Sequence, residues 1–396
     1  MAIDVRAPRE EEVDAGRRAV EAAFGSSFED PWFEAARKVM PLERMLIAVD
    51  DDQPVALAAA YPFSLSIPGG ELPCGGVTWV GVSPSHRRRG VLTALMRKQL
   101  DDLHEQGEPL AALWASESLI YGRFGYGIAA PMHRLEGMKA GFAFRDDRAP
   151  VGSVRLIDVT EARERFPAIH ERVRAQRAGM PARSETWWNE FRLTDRKPAG
   201  LGPRFYALYE DDGYAIYRIK SEWEHGIPNA TVHVVEALGA TGVAEREVWR
   251  FLFSLDLATT VEGELVDPSA PLFLGARDPR RLRLTLHDGL WLRLVDADAA
   301  VRARSWATDE SVVVEVRDAF CPWNAGRYRL GADAGRCDDE PELTLDACEL
   351  ASVYLGGVDV QALAAAGFVE ELREGALARA ARLLVTPRPP FCPEVF

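Results

Sequence analysis

Hydrophobic positions fall at helical spacing from about Arg9 to Phe24 and again, over a shorter run, near Trp32–Val39. The period then drops to two, or to nearly unbroken apolar runs, near Arg44–Asp50, Val55–Ile67 and Glu71–Val82, which predicts three strands. Helical spacing returns from Val91 to about Leu103. A strand near Leu110–Trp114, a short helix near Glu117–Phe124 and a strand from Tyr126 follow. Helices, an antiparallel meander and a strand–helix–strand crossover make a mixed α and β domain.

From about Val151 the order repeats without repeating the sequence. A strand near Val154–Val159 and a helix near Glu161–Arg177 precede strands near Arg204–Tyr209, Tyr214–Lys220 and Thr231–Ala237. A helix near Glu245–Leu255 and a strand near Leu257–Val261 complete the set. A third set starts between Arg277 and Trp291. It has strands near Arg281–Leu286, Leu290–Val295, Ser311–Val316 and Glu342–Asp346, with helices near Ala297–Trp306, Val358–Ala365 and Val369–Leu384. The fold class read from this pattern is α+β, in three domains over residues 1–150, 151–285 and 286–396.

Composition narrows the function. At 396 residues, 47% hydrophobic and 27% charged, the chain reads as globular, and it has no apolar run of membrane-spanning length. The N-terminal Met-Ala-Ile-Asp-Val-Arg lacks a signal-peptide core, so the expected location is cytoplasmic. Five cysteines, Cys74, Cys321, Cys337, Cys348 and Cys392, are scattered with no C-x-x-C pair, so reduced thiols are expected, with no disulfide frame and no metal site. A formal charge of −14 argues against nucleic acid or an acidic membrane as partner and favours cations.

The chemistry concentrates between Val82 and Tyr121. An apolar strand ends at Val82, a turn passes Pro84, and Arg87-Arg88-Arg89-Gly90 stands immediately before the helix from Val91. A helix start presents free N–H groups and a partial positive charge. With a glycine for close approach and arginines for charge, such a turn suits a pyrophosphate. About thirty residues later comes Ser116-Glu117-Ser118-Leu119-Ile120-Tyr121-Gly122-Arg123-Phe124-Gly125-Tyr126-Gly127, which supplies two phenols and a carboxylate. The tail from Thr386 is stiffened by four prolines and ends in Phe396, which suggests an end tucked into a pocket with its α-carboxylate inside.

These residues resemble the GNAT acetyltransferases, whose R/Q-x-x-G-x-G/A turn holds the pyrophosphate of coenzyme A; here it reads Arg87-x-x-Gly90-x-Leu92, with Leu92 departing from the small third residue. The longer tyrosine string, the chain length and the final Phe396 resemble the Eis (enhanced intracellular survival) family of GNAT N-acetyltransferases. The resemblance implies tandem GNAT-like domains, the second lacking the coenzyme motif, and a sterol-carrier-protein-like C-terminal domain whose end enters the active site. At the second domain's equivalent turn stands Gly239-Ala240-Thr241-Gly242-Val243-Ala244, with no basic residue.

The resemblance further implies acetyl-CoA as co-substrate, lined by Val80, Gly81, Val82, Arg88, Arg89, Gly90, Val91, Leu92, Thr93, Ser116 and Glu117, with Arg87 facing phosphate or solvent. Tyr121 would be the general acid, with Tyr126 packing, and the carboxylate of Phe396 the general base. Aminoglycosides or other multi-amine small molecules would be acetylated by direct attack, in a homo-oligomer, commonly a hexamer. Alternatives are acetylation of lysine, peptide amines or polyamines, or a lipid-binding carrier with a vestigial acetyltransferase domain. Phe24, Trp32, Trp79 and Glu394 are candidate cleft residues, each of which reads more readily as core or surface, and Trp187-Trp188 is the strongest exposed-aromatic candidate of the second domain, with packing as the alternative.

Overall fold

A computed structural model describes residues 3–27, 30–145, 150–196, 198 and 200–396. The chain divides into two compact units, Met1–Ala130 with Gly289–Pro390 and Glu394–Phe396, and Pro131–Asp288 with Phe391–Pro393.

The first unit begins with β1 (Asp4–Arg6), α1 (Val13–Phe24), α2 (Asp30–Val39), β2 (Met45–Asp50), β3 (Gln53–Ile67), β4 (Gly70–Val82), α3 (Val91–Glu105), β5 (Leu110–Trp114) and α4 (Ser118–Tyr121). Neighbouring strands run antiparallel from β1 to β4, and β5 lies parallel to β4. Parallel pairing requires a crossover, and α3 is that crossover. It buries Val91, Leu95, Met96, Leu100 and Leu103 along one stripe. Each fully buried leucine there contributes about 2 kcal/mol. Gly75 admits the helix, since a Cβ on it would stand 2.8 Å from the Leu103 methyls.

The second unit runs through β6 (Gly127–Met138), β7 (Val154–Ile157), α5 (Val159–Arg174), α6 (Glu185–Trp187), β8 (Phe205–Tyr209), β9 (Gly213–Lys220), the small hairpin β10 (Trp223–Glu224) and β11 (Ile227–Pro228), β12 (Ala230–Gly239), α7 (Gly242–Ser254) and β13 (Ala258–Val266). The order β6-β13-β12-β9-β8-β7 is antiparallel except for β12 and β13, which run parallel around α7. This repeats the β4-α3-β5 arrangement of the first unit. Trp187 and Trp188, expected to be exposed, are 4% and 3% exposed. Trp188 packs with Phe166 and Tyr214 in an apolar cluster, and the Arg183 guanidinium lies 4.6 Å from its ring. Core packing has overridden the reading of adjacent aromatics as surface.

After β14 (Leu282–Leu294), the first unit resumes with α8 (Ala297–Ala303), β15 (Ser311–Arg317), β16 (Gly326–Gly331), β17 (Gly335–Arg336), β18 (Leu343–Asp346), α9 (Ala347–Tyr354), α10 (Val360–Ala365), β19 (Val369–Glu371) and α11 (Ala376–Leu384). The five strands pair in the order β17-β16-β15-β18-β19. The two strands expected near Arg281–Leu286 and Leu290–Val295 are one, because the strand continues through Gly289 at φ 64°. The single helix expected over Val369–Leu384 is β19 followed by α11, separated by Gly375 at φ 83°.

Candidate active site

Strand β4 pairs with β5 only at Cys74–Gly76, opposite Leu110–Ala112. Beyond Gly76 the two diverge, β5 being held on its other side by Leu290–Leu294 of β14. On the β3 side the register shifts, Leu57 facing Gly81 and Ala59 facing Thr78, so Trp79 and Val80 form a bulge opposite Ala58. Trp79 takes φ 55° there. Gly81 is needed because a Cβ would stand 2.8 Å from the Val20 Cα of α1. The wedge between β4 and β5 is therefore built by lost strand pairing and held open by a helix packed tightly on a glycine.

A cavity of about 620 Å³ occupies this region. Val80, Gly81 and Val82 form one wall, and Ser116, Glu117 and Tyr121 line it from beyond the end of β5. Its floor is the start of α3, where Arg88, Gly90, Val91, Leu92 and Thr93 line it. Arg88 and Gly90 take φ 62° and 82°. No side chain caps this helix start, so the first-turn N–H groups are free to meet a ligand. A Cβ on Gly90 would meet nothing within 4 Å. An uncapped helix start, two positive-φ residues and arginine side chains together fit a pyrophosphate.

The second unit's turn is built otherwise. Thr241 caps α7 by accepting from the Ala244 amide at 3.1 Å, and a Cβ on Gly239 would collide with the Glu245 backbone. The Ala244 and Glu245 amides at this helix start are thus engaged within the turn itself.

Of the residues the family resemblance assigned to the coenzyme, ten line this cavity and Arg89 does not. Its guanidinium pairs with Asp50 at 2.8 Å. Arg87 does line the cavity, and donates to the Ala23 carbonyl at 2.8 Å. Leu92 lines it while packing against the apolar cluster beneath, so a large third residue is accommodated. Ala23, His86, Ile120 and Arg123 also line it, and the sequence reading missed them. Arg123 lies inside the tyrosine string, and its position there was the available signal.

Tyr121 is 5% exposed, and burial, with the Glu117 carboxylate second, pushes its phenol up to about 12. It is therefore protonated at neutral pH. Tyr126 meets it edge-on at 6.0 Å and is fully buried, its hydroxyl without a hydrogen-bond partner among the described residues. Tyr126 therefore packs, as expected.

Phe396 meets Phe63 of β3 edge-on, with centroids 5.0 Å apart. A Cβ on Gly76 would collide with Phe63 and reach 3.4 Å from the Phe396 ring. Successive strand residues face opposite ways. Gly75 faces α3 and Gly76 faces Phe63 and Phe396, at the last β4 residue still paired with β5. Phe396 is thus at the vertex of the wedge, on the sheet face opposite α3. Among the expected cleft residues, Phe24 lines the cavity and is 49% exposed, Trp32 is 46% exposed, Trp79 meets Phe33 edge-on at 5.2 Å, and Glu394 is buried at 1%.

Residues 4–129 match the family description "Acetyltransferase (GNAT) domain", as do residues 179–307 with a second such family, and residues 297–393 match "Sterol carrier protein domain". An uncharacterized N-acetyltransferase of Streptomyces avermitilis is 37% identical, with all of both chains covered. The N-acetyltransferase Eis of Mycobacterium tuberculosis is 36% identical over 84% of each chain. The crystal structure of Eis1 from Mycobacterium abscessus superposes with a TM-score of 0.88 at 31% identity, covering 99% of this chain and all of that one. With two GNAT-type matches, a sterol-carrier-type match and these identities to Eis proteins, the chain belongs to the Eis-like GNAT N-acetyltransferases.

Proposed function

We propose that this enzyme transfers acetyl groups from acetyl-CoA to amines of multi-amine small molecules such as aminoglycosides, with Tyr121 as general acid and the Phe396 carboxylate as general base. The observation that carries the reading is the uncapped start of α3, opening into the cavity that Tyr121 also lines. Arg88, Gly90 and the first-turn amides of α3 hold the pyrophosphate, and Val80–Val82, Ser116 and Glu117 flank the rest of the coenzyme. Acetyl-CoA supplies the acetyl group as a thioester. The bulged backbone at Trp79–Val80 offers N–H groups outside the β3 ladder, which suit an oxygen that gains charge. Tyr121 keeps its proton at neutral pH and gives it to the departing thiolate, a role that its lining of the cavity supports. The Phe396 carboxylate takes the proton of an incoming amine; the packing of its ring beside Gly76, at the last β4 residue paired with β5, supports this role.

We keep the division into 1–150, 151–285 and 286–396; the repeated β-α-β crossover supports the first two parts, and the separate five-stranded sheet that follows β14 supports the third. The second domain binds no coenzyme in this reading, because Thr241 and the Glu245 backbone fill the place of the cradle. A net charge of −14 favours a polycationic acceptor. Incubation of purified protein and acetyl-CoA with aminoglycosides, polyamines and lysine peptides, followed by thiol release and mass spectrometry, tests the substrate class. Aminoglycosides carrying more than one acetyl group are expected. Turnover confined to lysine peptides would overturn the assignment of the acceptor.

A further inference from the structure

Arg293 of β14 has no exposed surface, although it lies against an apolar cluster that includes Ala111, Leu113, Phe124, Tyr126 and Trp291. A buried guanidinium is costly unless it is fully engaged. One of its nitrogens pairs with Asp318, itself buried. The second Asp318 oxygen accepts from the Phe320 and Cys321 amides at 3.2 and 2.8 Å, and Asn324 donates to the first at 3.4 Å. The other terminal nitrogen of Arg293 faces the Gly125 carbonyl at 3.4 Å.

Gly125 ends the helical turn that carries Tyr121. It takes φ 82°, its amide returns to the Gly122 carbonyl at 2.9 Å, and the Tyr126 amide returns to the Tyr121 carbonyl at 3.3 Å. A Cβ on Gly125 would collide with the Arg293 guanidinium. The neighbouring Phe124 is fully buried against Phe320, with centroids 5.0 Å apart, and Arg97 of α3 closes over Phe320 at 3.8 Å. Two residues of the Tyr-Gly-Arg-Phe-Gly turn are therefore gripped, Phe124 directly by Phe320 and Gly125 by Arg293, which Asp318 holds in turn; Asp318 and Phe320 lie inside the region that matches a sterol carrier protein domain.

The geometry points to Arg293, held by Asp318, as a positioning residue for acetyl transfer: it braces the Gly122–Gly125 turn so that the Tyr121 hydroxyl stays at the cavity wall. This rests on Tyr121 being the general acid. It gives the C-terminal domain a role in the reaction that needs no lipid, since its Asp318–Phe320 segment fixes the orientation of a side chain in the first GNAT domain. Helix α4 has four residues and cannot hold its own geometry in water, so an external brace has something to do.

The test is a cycle with Tyr121→Phe, measured in the full-length enzyme. The double variant R293M/D318N removes both buried charges, so neither is left unpaired. It is expected to lower kcat by about tenfold or more, to leave the KM for acetyl-CoA within twofold, and to move the alkaline limb of the kcat profile to lower pH as the phenol meets water. In the Tyr121→Phe background the same double variant is expected to cost nothing further. An equal loss in both backgrounds, or no loss in either, overturns the brace. If Tyr121→Phe alone leaves kcat unchanged, the general-acid reading fails first, and the brace fails with it. Should R293M/D318N not fold, R293K takes its place in the cycle, since it keeps the charge beside Asp318 and drops the donor that faces Gly125.

Discussion

Tyr121 stays protonated because burial and the nearby Glu117 carboxylate both disfavour the phenolate. Tyr121→Phe should lower kcat by about a hundredfold and leave acetyl-CoA affinity, read by calorimetry, unchanged. The folded phenol titrates near 12, above its unfolded value near 10. Its contribution to stability is therefore complete below pH 10 and is lost as pH rises through 12. If Tyr121 is the proposed general acid, kcat should fall over the same rise, only on the far alkaline side. Tyr121 was legible because it stands in a twelve-residue string. Arg293 and Asp318 were not, because nothing in a sequence marks which charged residues fold inward to meet each other. Trp188 makes the same point in reverse, since the cluster that buries it brings Phe166, Tyr214 and Arg183 from other parts of the chain.

Among the elements, α3 is read most directly from its pattern, its apolar stripe and Gly90 fixing both the packed face and the open end. Gly90→Val would force an L side chain to φ 82°, at a cost of about 1–2 kcal/mol, and point it into the cavity. The KM for acetyl-CoA should rise at least tenfold, against a modest fall in melting temperature. Thr241→Ala in the second unit should cost about 1 kcal/mol of stability and leave acetyl-CoA affinity untouched, which thermal unfolding and calorimetry would show together. Elsewhere the pattern misled or gave nothing. Helix α9 has little polar face, with Leu350, Ala351, Ser352, Val353 and Tyr354 all buried, so it lacks the alternation that reveals a helix. The wedge between β4 and β5 was not legible in the sequence, because it is set by where pairing stops.

For the whole molecule, charge is the property that bears most on the acceptor. A net −14 should draw in polycations, and at about 0.15 M salt, fields between exposed charges fade beyond about 8 Å. The KM of a cationic acceptor should therefore rise several-fold between 20 and 300 mM salt, on the order of the screening lost, while kcat changes little. A flat salt response would leave the acidic surface without a part in substrate capture. Among the described residues no helix is long and apolar enough to cross a membrane. The tail joins this scale to the first, since the last residue of the chain packs at the sheet face beside Gly76. The proposed mechanism turns on proton uptake by the Phe396 carboxylate, which extension of the chain by Gly-Ser after Phe396 would displace. The extended enzyme should lose about a hundredfold in turnover while binding acetyl-CoA as before; turnover equal to that of the unextended enzyme would contradict the claim.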